Sequence, residues 1–143
     1  METNSSKYKK GAKSQLRPLE IKGAVKTPSI VYSPDENYFE ISGKSIPEDH
    51  NTFFKPVLDW LDDFTANPPD KTQFDINLEY FNTAASKKLL ELMKHLDANN
   101  KINTVRINWH FEEGDEDSIE TAEIYEESLF RTNFRYFEYA EVA

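Results

Sequence analysis

Two stretches of this chain alternate strictly between apolar and polar residues, and they limit the possible folds more than any other feature. Phe74, Ile76, Leu78 and Tyr80 alternate with Gln73, Asp75, Asn77 and Glu79; Val105, Ile107, Trp109 and Phe111 alternate with Arg106, Asn108 and His110. Successive side chains of a strand point to opposite faces, so each stretch reads as a strand with one face in a core and one polar face. Strands covered by helices on both faces read instead as continuous apolar runs. Between the two strands, Leu89, Leu92, Met93 and Leu96 recur at helical spacing within Ala84 to Ala98. A strand–helix–strand run of this length implies parallel pairing through a right-handed crossover. The expected architecture is therefore a two-layer α/β domain whose mixed sheet is covered by helices mainly on one face. The polar face would carry Asp75, Asn77, Glu79, Arg106, Asn108 and His110, as a solvated surface laced with ion pairs or as a partner or self-association face.

The flanking segments extend the pattern. Ser29 to Tyr32 is short and β-prone, Ser33-Pro34-Asp35-Glu36-Asn37 is a turn signal, and Tyr38 to Ser42 reads as the returning strand of a hairpin. Gly43 and Pro47 punctuate the exit. Asp49, His50 and Asn51 stand where a helix cap is expected, and Phe53, Phe54, Val57, Leu58, Leu61 and Phe64 follow at helical spacing. Pro56 either lies in the first turn of that helix, where proline is tolerated, or marks a later start. A third helix is marked by Ile119, Ala122, Tyr125 and Leu129. Phe134 to Tyr139 is compatible with a final edge strand or a short helix, and its aromatics either cover a sheet edge or form a contact surface. The predicted order is β-β-α-β-α-β-α, with one more strand in the first of these two cases.

Charge divides the chain. Residues 1–26 carry seven of its 17 basic residues and only two acids, whereas the remainder is net -14. The first segment has few large apolar residues to offset its ordering entropy, so it is expected to be a disordered leader or a basic arm resting on an anionic partner or on the acidic body itself. Residues 27–143 form the single domain. An acidic body disfavours nucleic acid, which calls for clustered Lys and Arg. Cysteine is absent, which excludes disulfides, thiolate metal sites and a Cys nucleophile. No stretch of about 18 apolar residues is present to span a membrane as a helix, and residues 1–13 lack the apolar region of a secretory signal. A cytoplasmic address is the expectation. The three histidines, His50, His95 and His110, show no metal-ligand spacing. The acidic run Glu112, Glu113, Asp115, Glu116 and Asp117 does not match an EF-hand. No glycine-rich phosphate loop or nucleophile elbow is present. No metal, cofactor or catalytic residue is expected.

Several segments resemble the SiaC family of bacterial regulatory phosphoproteins. They are Thr27-Pro28-Ser29-Ile30, Glu40-Ile41-Ser42-Gly43-Lys44-Ser45-Ile46-Pro47-Glu48, Phe54-Lys55-Pro56-Val57-Leu58-Asp59-Trp60-Leu61 and, most specifically, Leu78-Glu79-Tyr80-Phe81-Asn82-Thr83-Ala84-Ala85-Ser86-Lys87, followed by Trp109 and Asp115-Glu116-Asp117. The element order also resembles the STAS-like fold of anti-sigma-factor antagonists, which carry a phosphorylatable hydroxyl at the same turn. The resemblance implies a non-enzymatic partner switch. A cognate protein kinase would phosphorylate Thr83, a PP2C-type phosphatase would reverse it, and the unmodified form would bind and activate an output enzyme such as a diguanylate cyclase in cyclic-di-GMP signalling. Asn82, Ser86, Lys87 and Glu79 would form the surrounding switch surface. The chain departs from the family in its basic leader and in Ala84-Ala85, where the family often carries serines. That leaves Thr83 as the principal acceptor and Ser86 as the spare.

Position alone gives Thr83 a simpler role, since a threonine between strand and helix can cap free backbone N–H groups, with Asn82 as its competitor. The alternatives to a switch are an adaptor of the same fold with Thr83 never modified, and a small ligand-binding domain using the acidic loop and the polar sheet face.

Overall fold

The computed structural model describes residues 17–141. Six strands form one sheet in chain order: β1 (Leu19–Ile21), β2 (Ser29–Ser33), β3 (Tyr38–Ser45), β4 (Lys71–Phe81), β5 (Thr104–Glu112) and β6 (Thr132–Tyr139). The pairs β1–β2 and β2–β3 are antiparallel; β3–β4, β4–β5 and β5–β6 are parallel. Three helices, α1 (His50–Ala66), α2 (Thr83–Asp97) and α3 (Glu116–Ser128), each join two parallel strands. The three crossovers step across the sheet in the same direction and share one hand, so all three helices lie on the same face. This is the two-layer α/β arrangement that the one-sided alternation of β4 and β5 predicts.

The core lies between that face and the helices. Ile30, Phe39, Ile41, Phe74, Ile76 and Ile107 project from the sheet and are essentially inaccessible, as are Val57, Leu61 and Phe64 of α1 and Leu89, Met93 and Leu96 of α2. Tyr32, Phe39, Trp60, Phe64 and Phe74 form an aromatic group with ring centroids 4.3 to 6.2 Å apart. The tilted and edge-on pairs within it suit the ring quadrupoles. α3 buries less, with Ser118, Ala122 and Tyr125 inward. Its anchor is partly polar: the buried Trp109 indole N–H donates to Ser118 Oγ at 2.8 Å.

Three details depart from the sequence expectations. Residues 17–26 are not leader: they contain β1, paired to β2. Leu19 and Ile21 pack on the core while Glu20 faces away, and the Trp60 indole N–H donates to the Arg17 carbonyl at 3.3 Å. Two apolar side chains and one acceptor for a core tryptophan suffice to hold three residues at the sheet edge, a signal lost when composition is averaged over 26 positions. The Arg17 guanidinium reaches Asp63 of α1 at 2.5 Å, so this part of the basic segment does rest on the acidic body. The rest of the expected leader, residues 1–16, lies outside the described residues.

β3 also runs past Gly43 to Ser45. Gly43 adopts φ 107°, and the β3–β4 register shifts between Gly43 and Lys44, so that Gly43 faces Leu78 but Lys44 faces Tyr80. The extra residue, Glu79, is a β-bulge. It explains why Phe81 breaks the alternation: the bulge returns Phe81 to the core face, 6.0 Å from the Trp109 ring. Pro56 lies well inside α1, beyond its first turn. Its ring is on the exposed face, and the buried Phe54, Val57, Trp60, Leu61 and Phe64 outweigh a helix cost of about 3 kcal/mol. Of the two readings of the last segment the strand holds: Thr132–Tyr139 is parallel to β5 over eight residues and forms the edge of the described sheet opposite β1.

Candidate functional site

The start of each helix follows the C-terminal end of a parallel strand, so three helix N-termini line one edge of the sheet. Strand order does not reverse among β3–β6. The sheet therefore has no crevice of the kind in which doubly wound α/β proteins hold nucleotides at a reversal of strand order. What the edge offers is an exposed surface, and the block around Thr83 is its centre.

Asn82 has extended backbone (φ -92°, ψ 179°), and its Oδ1 accepts the Ala85 N–H at 3.0 Å. Asn82, not Thr83, is the cap of α2. An asparagine oxygen at this position satisfies one of the orphan donors of the first turn. Thr83 is the first helical residue and is exposed. Asn82→Ala is therefore expected to lower stability by about 1 kcal/mol, measured by urea unfolding. Thr83→Ala should shift it by less than about 0.5 kcal/mol. The reverse ranking would return the cap to Thr83.

The first turn of α2 contains no acidic residue. Lys87 follows Thr83 by one turn on the same helix face and is exposed, whereas Lys88 is half-buried with Nζ 3.5 Å from Glu91. Ala84, Lys87, Lys88 and Glu91 line one wall of a groove of about 640 Å³, and Glu48, Asp49, His50 and Asn51 at the start of α1 line the other. Asp49 caps α1: its Oδ1 accepts the Thr52 N–H at 3.1 Å and its Oδ2 the Thr52 hydroxyl at 2.7 Å, and these bonds hold its carboxyl below the usual range.

Ser86 is held differently from Thr83. The Tyr125 hydroxyl of α3 donates to the Ser86 carbonyl at 2.8 Å, and it lies 2.6 Å from Ser86 Oγ. A phenol has one proton, so Ser86 Oγ donates to Tyr125 in turn. Burial pushes the Tyr125 hydroxyl up to about 12, with the Ser86 bond acting in the opposite sense. Ser86 is thus part of the α2–α3 joint, while the Thr83 hydroxyl stands at the surface. Nothing local in the sequence pairs Ser86 with a residue 39 positions later.

Glu79 belongs to the other side of the edge. The bulge leaves it exposed on the helix-free face, where it lines an open concavity of about 750 Å³ with Ser42, Asn77, Tyr80, Glu112 and Tyr139. Burial raises the Tyr139 pKa, and Glu112, Glu79 and Asp115 raise it further. Asn82, Thr83, Ser86 and Lys87 therefore cluster, and Glu79 faces away from them. On the rest of the polar face the expected lacing of ion pairs is reduced, among the described residues, to one contact: Asp75 Oδ1 lies 2.8 Å from His110 Nε2, and the imidazole stacks on Phe137 with centroids 5.1 Å apart. Burial first, then Glu40 and Asp75, push the Tyr38 hydroxyl up to about 12.

The acidic loop serves α3. Asp115 caps it by accepting the Ser118 N–H at 3.1 Å, and Glu116 and Asp117 occupy its first turn, where carboxylates favour the helix dipole. Among the described residues no group of three or more His, Asp or Glu side chains is placed to hold a metal ion. Among the same residues no helix is long and apolar enough to cross a membrane.

Residues 21–139 match the family model described as SiaC family regulatory phosphoprotein. This chain belongs to the SiaC family. Among its relatives, an uncharacterised protein of Pseudomonas aeruginosa strain UCBPP-PA14 is 29% identical over 113 residues, covering 78% of this chain and 90% of the relative. The fold matches SiaC of P. aeruginosa with a TM-score of 0.73 at 25% identity, covering 87% of this chain and 99% of that one. It also matches, at a TM-score of 0.76 and 26% identity, a crystal structure of the P. aeruginosa diguanylate cyclase SiaD in complex with its activator SiaC. That match covers 85% of this chain and 99% of the other. The SiaC resemblance of the Leu78–Lys87 block thus extends to the whole described fold, and the SiaC family member described here is a regulatory phosphoprotein by family.

Proposed function

We propose that this protein is a non-enzymatic, cytoplasmic signalling switch set by reversible phosphorylation of Thr83. In this reading a cognate kinase and a PP2C-type phosphatase set the phosphorylation state, and the unmodified form binds and regulates a diguanylate cyclase. The observation that carries the reading is the position of Thr83: an exposed hydroxyl at the first residue of a helix whose cap is supplied by Asn82. Family membership, and the complex of P. aeruginosa SiaC with a diguanylate cyclase, supply the class of partner.

The chemistry is consistent with a switch that leaves the fold intact. A phosphoryl group adds about -1.5 to -2 charges at neutral pH. It would sit beside the positive end of α2, equivalent to roughly half a charge, next to Lys87 and with no acid in the first turn. The modified helix is therefore not expected to melt. At a partner interface the same group is a desolvated dianion, costing several kcal/mol unless the partner provides cations to meet it. One phosphate can thus release a partner without disturbing the core.

The test is intact-mass and peptide mass spectrometry on the protein isolated from its own host, with and without PP2C-type phosphatase treatment. A phosphatase-sensitive phosphate on Thr83 is expected. Unmodified Thr83 under several growth conditions, or phosphate on Ser86 in its place, would sink the proposal.

A further inference from the structure

The two edges of the sheet differ in a way the switch does not require. β1 has three residues, follows Pro18, and carries Glu20 at its centre. Short length, proline and charge are how sheet edges avoid pairing with other chains. β6 has eight residues, Thr-Asn-Phe-Arg-Tyr-Phe-Glu-Tyr, with no Pro or Gly and one charge of each sign, Arg135 and Glu138, and among the described residues it pairs on one side only, with β5. Its aromatics are exposed on both faces of the sheet: Phe137 beside His110 on the open face, and Tyr136 on the helix side, where its hydroxyl donates to Glu126 of α3 at 2.8 Å. Among the described residues six large apolar side chains are exposed, and four of them (Ile124, Phe130, Tyr136 and Phe137) fall within one stretch of α3 and β6. Phe130 is 93% exposed. The helix beside this edge is strongly acidic: α3 contains Glu116, Asp117, Glu120, Glu123, Glu126 and Glu127 and no basic residue.

From these observations we infer that β6 is a docking edge for an extended basic segment of a partner protein, which adds as a seventh strand with its Lys or Arg side chains toward α3. Main-chain pairing supplies the affinity in strand addition, and alternate side chains supply the choice of partner. Apolar residues of the incoming strand would meet Phe137 on one face and Tyr136 on the other. Charge selects against a second copy of this chain, because self-pairing along β6 would bring together two proteins of net charge -9, each with an acidic α3 beside the edge.

The probe is a capped octapeptide alternating valine with lysine and arginine, at millimolar concentration, with a charge-reversed valine–glutamate peptide as control. Both are added to the ¹⁵N-labelled full chain. The basic peptide is expected to shift amide resonances of residues 130–139 and of α3, and to slow hydrogen exchange in β6 about tenfold or more. The double variant Glu123→Lys/Glu127→Lys should reduce the effect several-fold, and added salt should do the same, because exposed charge pairs are screened. Three results would overturn the inference: no change at β6 with the basic peptide, an equal response to the acidic one, or protection of β6 that rises with protein concentration in the absence of peptide. The last would assign the edge to a second copy.

Discussion

Replacing Thr83 with aspartate is expected to weaken binding to the output enzyme by about 30-fold or more while leaving the midpoint of urea unfolding nearly unchanged. The two parts follow from separate features of the site. Thr83 is exposed and does not cap α2, so the substitution removes no internal contact of consequence, and a carboxylate in the first turn is favoured by the helix by about 0.3–1 kcal/mol. At an interface, however, an unpaired charge costs more than about 2 kcal/mol, a factor of roughly 30. Thr83→Ala should bind like the wild type and resist the kinase. Titration of the purified cyclase with each variant, read by calorimetry alongside diguanylate cyclase activity, gives the comparison. Wild-type affinity for Thr83→Asp would remove the charge argument. A loss shared equally by Thr83→Ala would mean that the hydroxyl itself is a contact.

The second large effect is structural and lies far from Thr83. Asp97, at the end of α2, is 7% exposed, and its carboxylate gathers the start of β6. It accepts the Phe130 N–H at 3.0 Å, the Arg131 N–H at 2.7 Å and the Thr132 hydroxyl at 2.8 Å. The Arg131 guanidinium in turn binds the carbonyls of Asp97, Asn99 and Ile102. Asp97→Ala leaves these donors without their acceptor and is expected to cost about 3–5 kcal/mol, a large share of the 5–15 kcal/mol typical of a domain. Asp97→Asn, which keeps the shape but not the charge, should cost about half as much. Burial opposes ionisation of this carboxyl, but the Phe130, Arg131 and Thr132 donors and the Arg131 charge outweigh it and hold its pKa below the usual range. A folded-state pKa below the unfolded one means that the contribution is complete above about pH 4 and is lost as pH falls through the lowered value. Wild-type stability should therefore fall in that acidic window more steeply than that of Asp97→Asn. Parallel unfolding curves in urea from pH 6 to pH 2 would show it, and identical slopes would mean that Asp97 is not the group responsible.

The parts of the molecule legible in the sequence are those in which neighbouring residues carry the information. The alternation in β4 and β5 and the apolar stripe of α2 identify the core face, the single helical layer and the parallel pairing, because strand and helix periods act over a few residues. The position of Thr83 between strand and helix was legible through the end of the β4 alternation. What was not legible depends on residues distant in the chain. The Asp97 carboxylate meets donors 33 to 35 positions later, and the Ser86–Tyr125 joint spans 39. β1 is held by a tryptophan N–H that bonds across 43 residues. The bulge at Glu79 shows only as the misplaced Phe81, and that single residue is the signal that Glu79 faces away from Thr83.

Neighbour-to-neighbour strand order has a consequence for how the molecule is made. No strand waits for a partner that is synthesised much later: each new strand pairs with the one before it, through a loop or turn for β2 and β3 and through one helix for β4, β5 and β6. A chain leaving the ribosome at about 5–20 residues per second can lay each strand–helix unit on an edge that already exists, and closes only short loops of sequence at each step. Every strand except the last is covered by its successor as synthesis proceeds. Among the described residues β6 has none, so the kind of surface on which each later strand was received persists there as a β-edge.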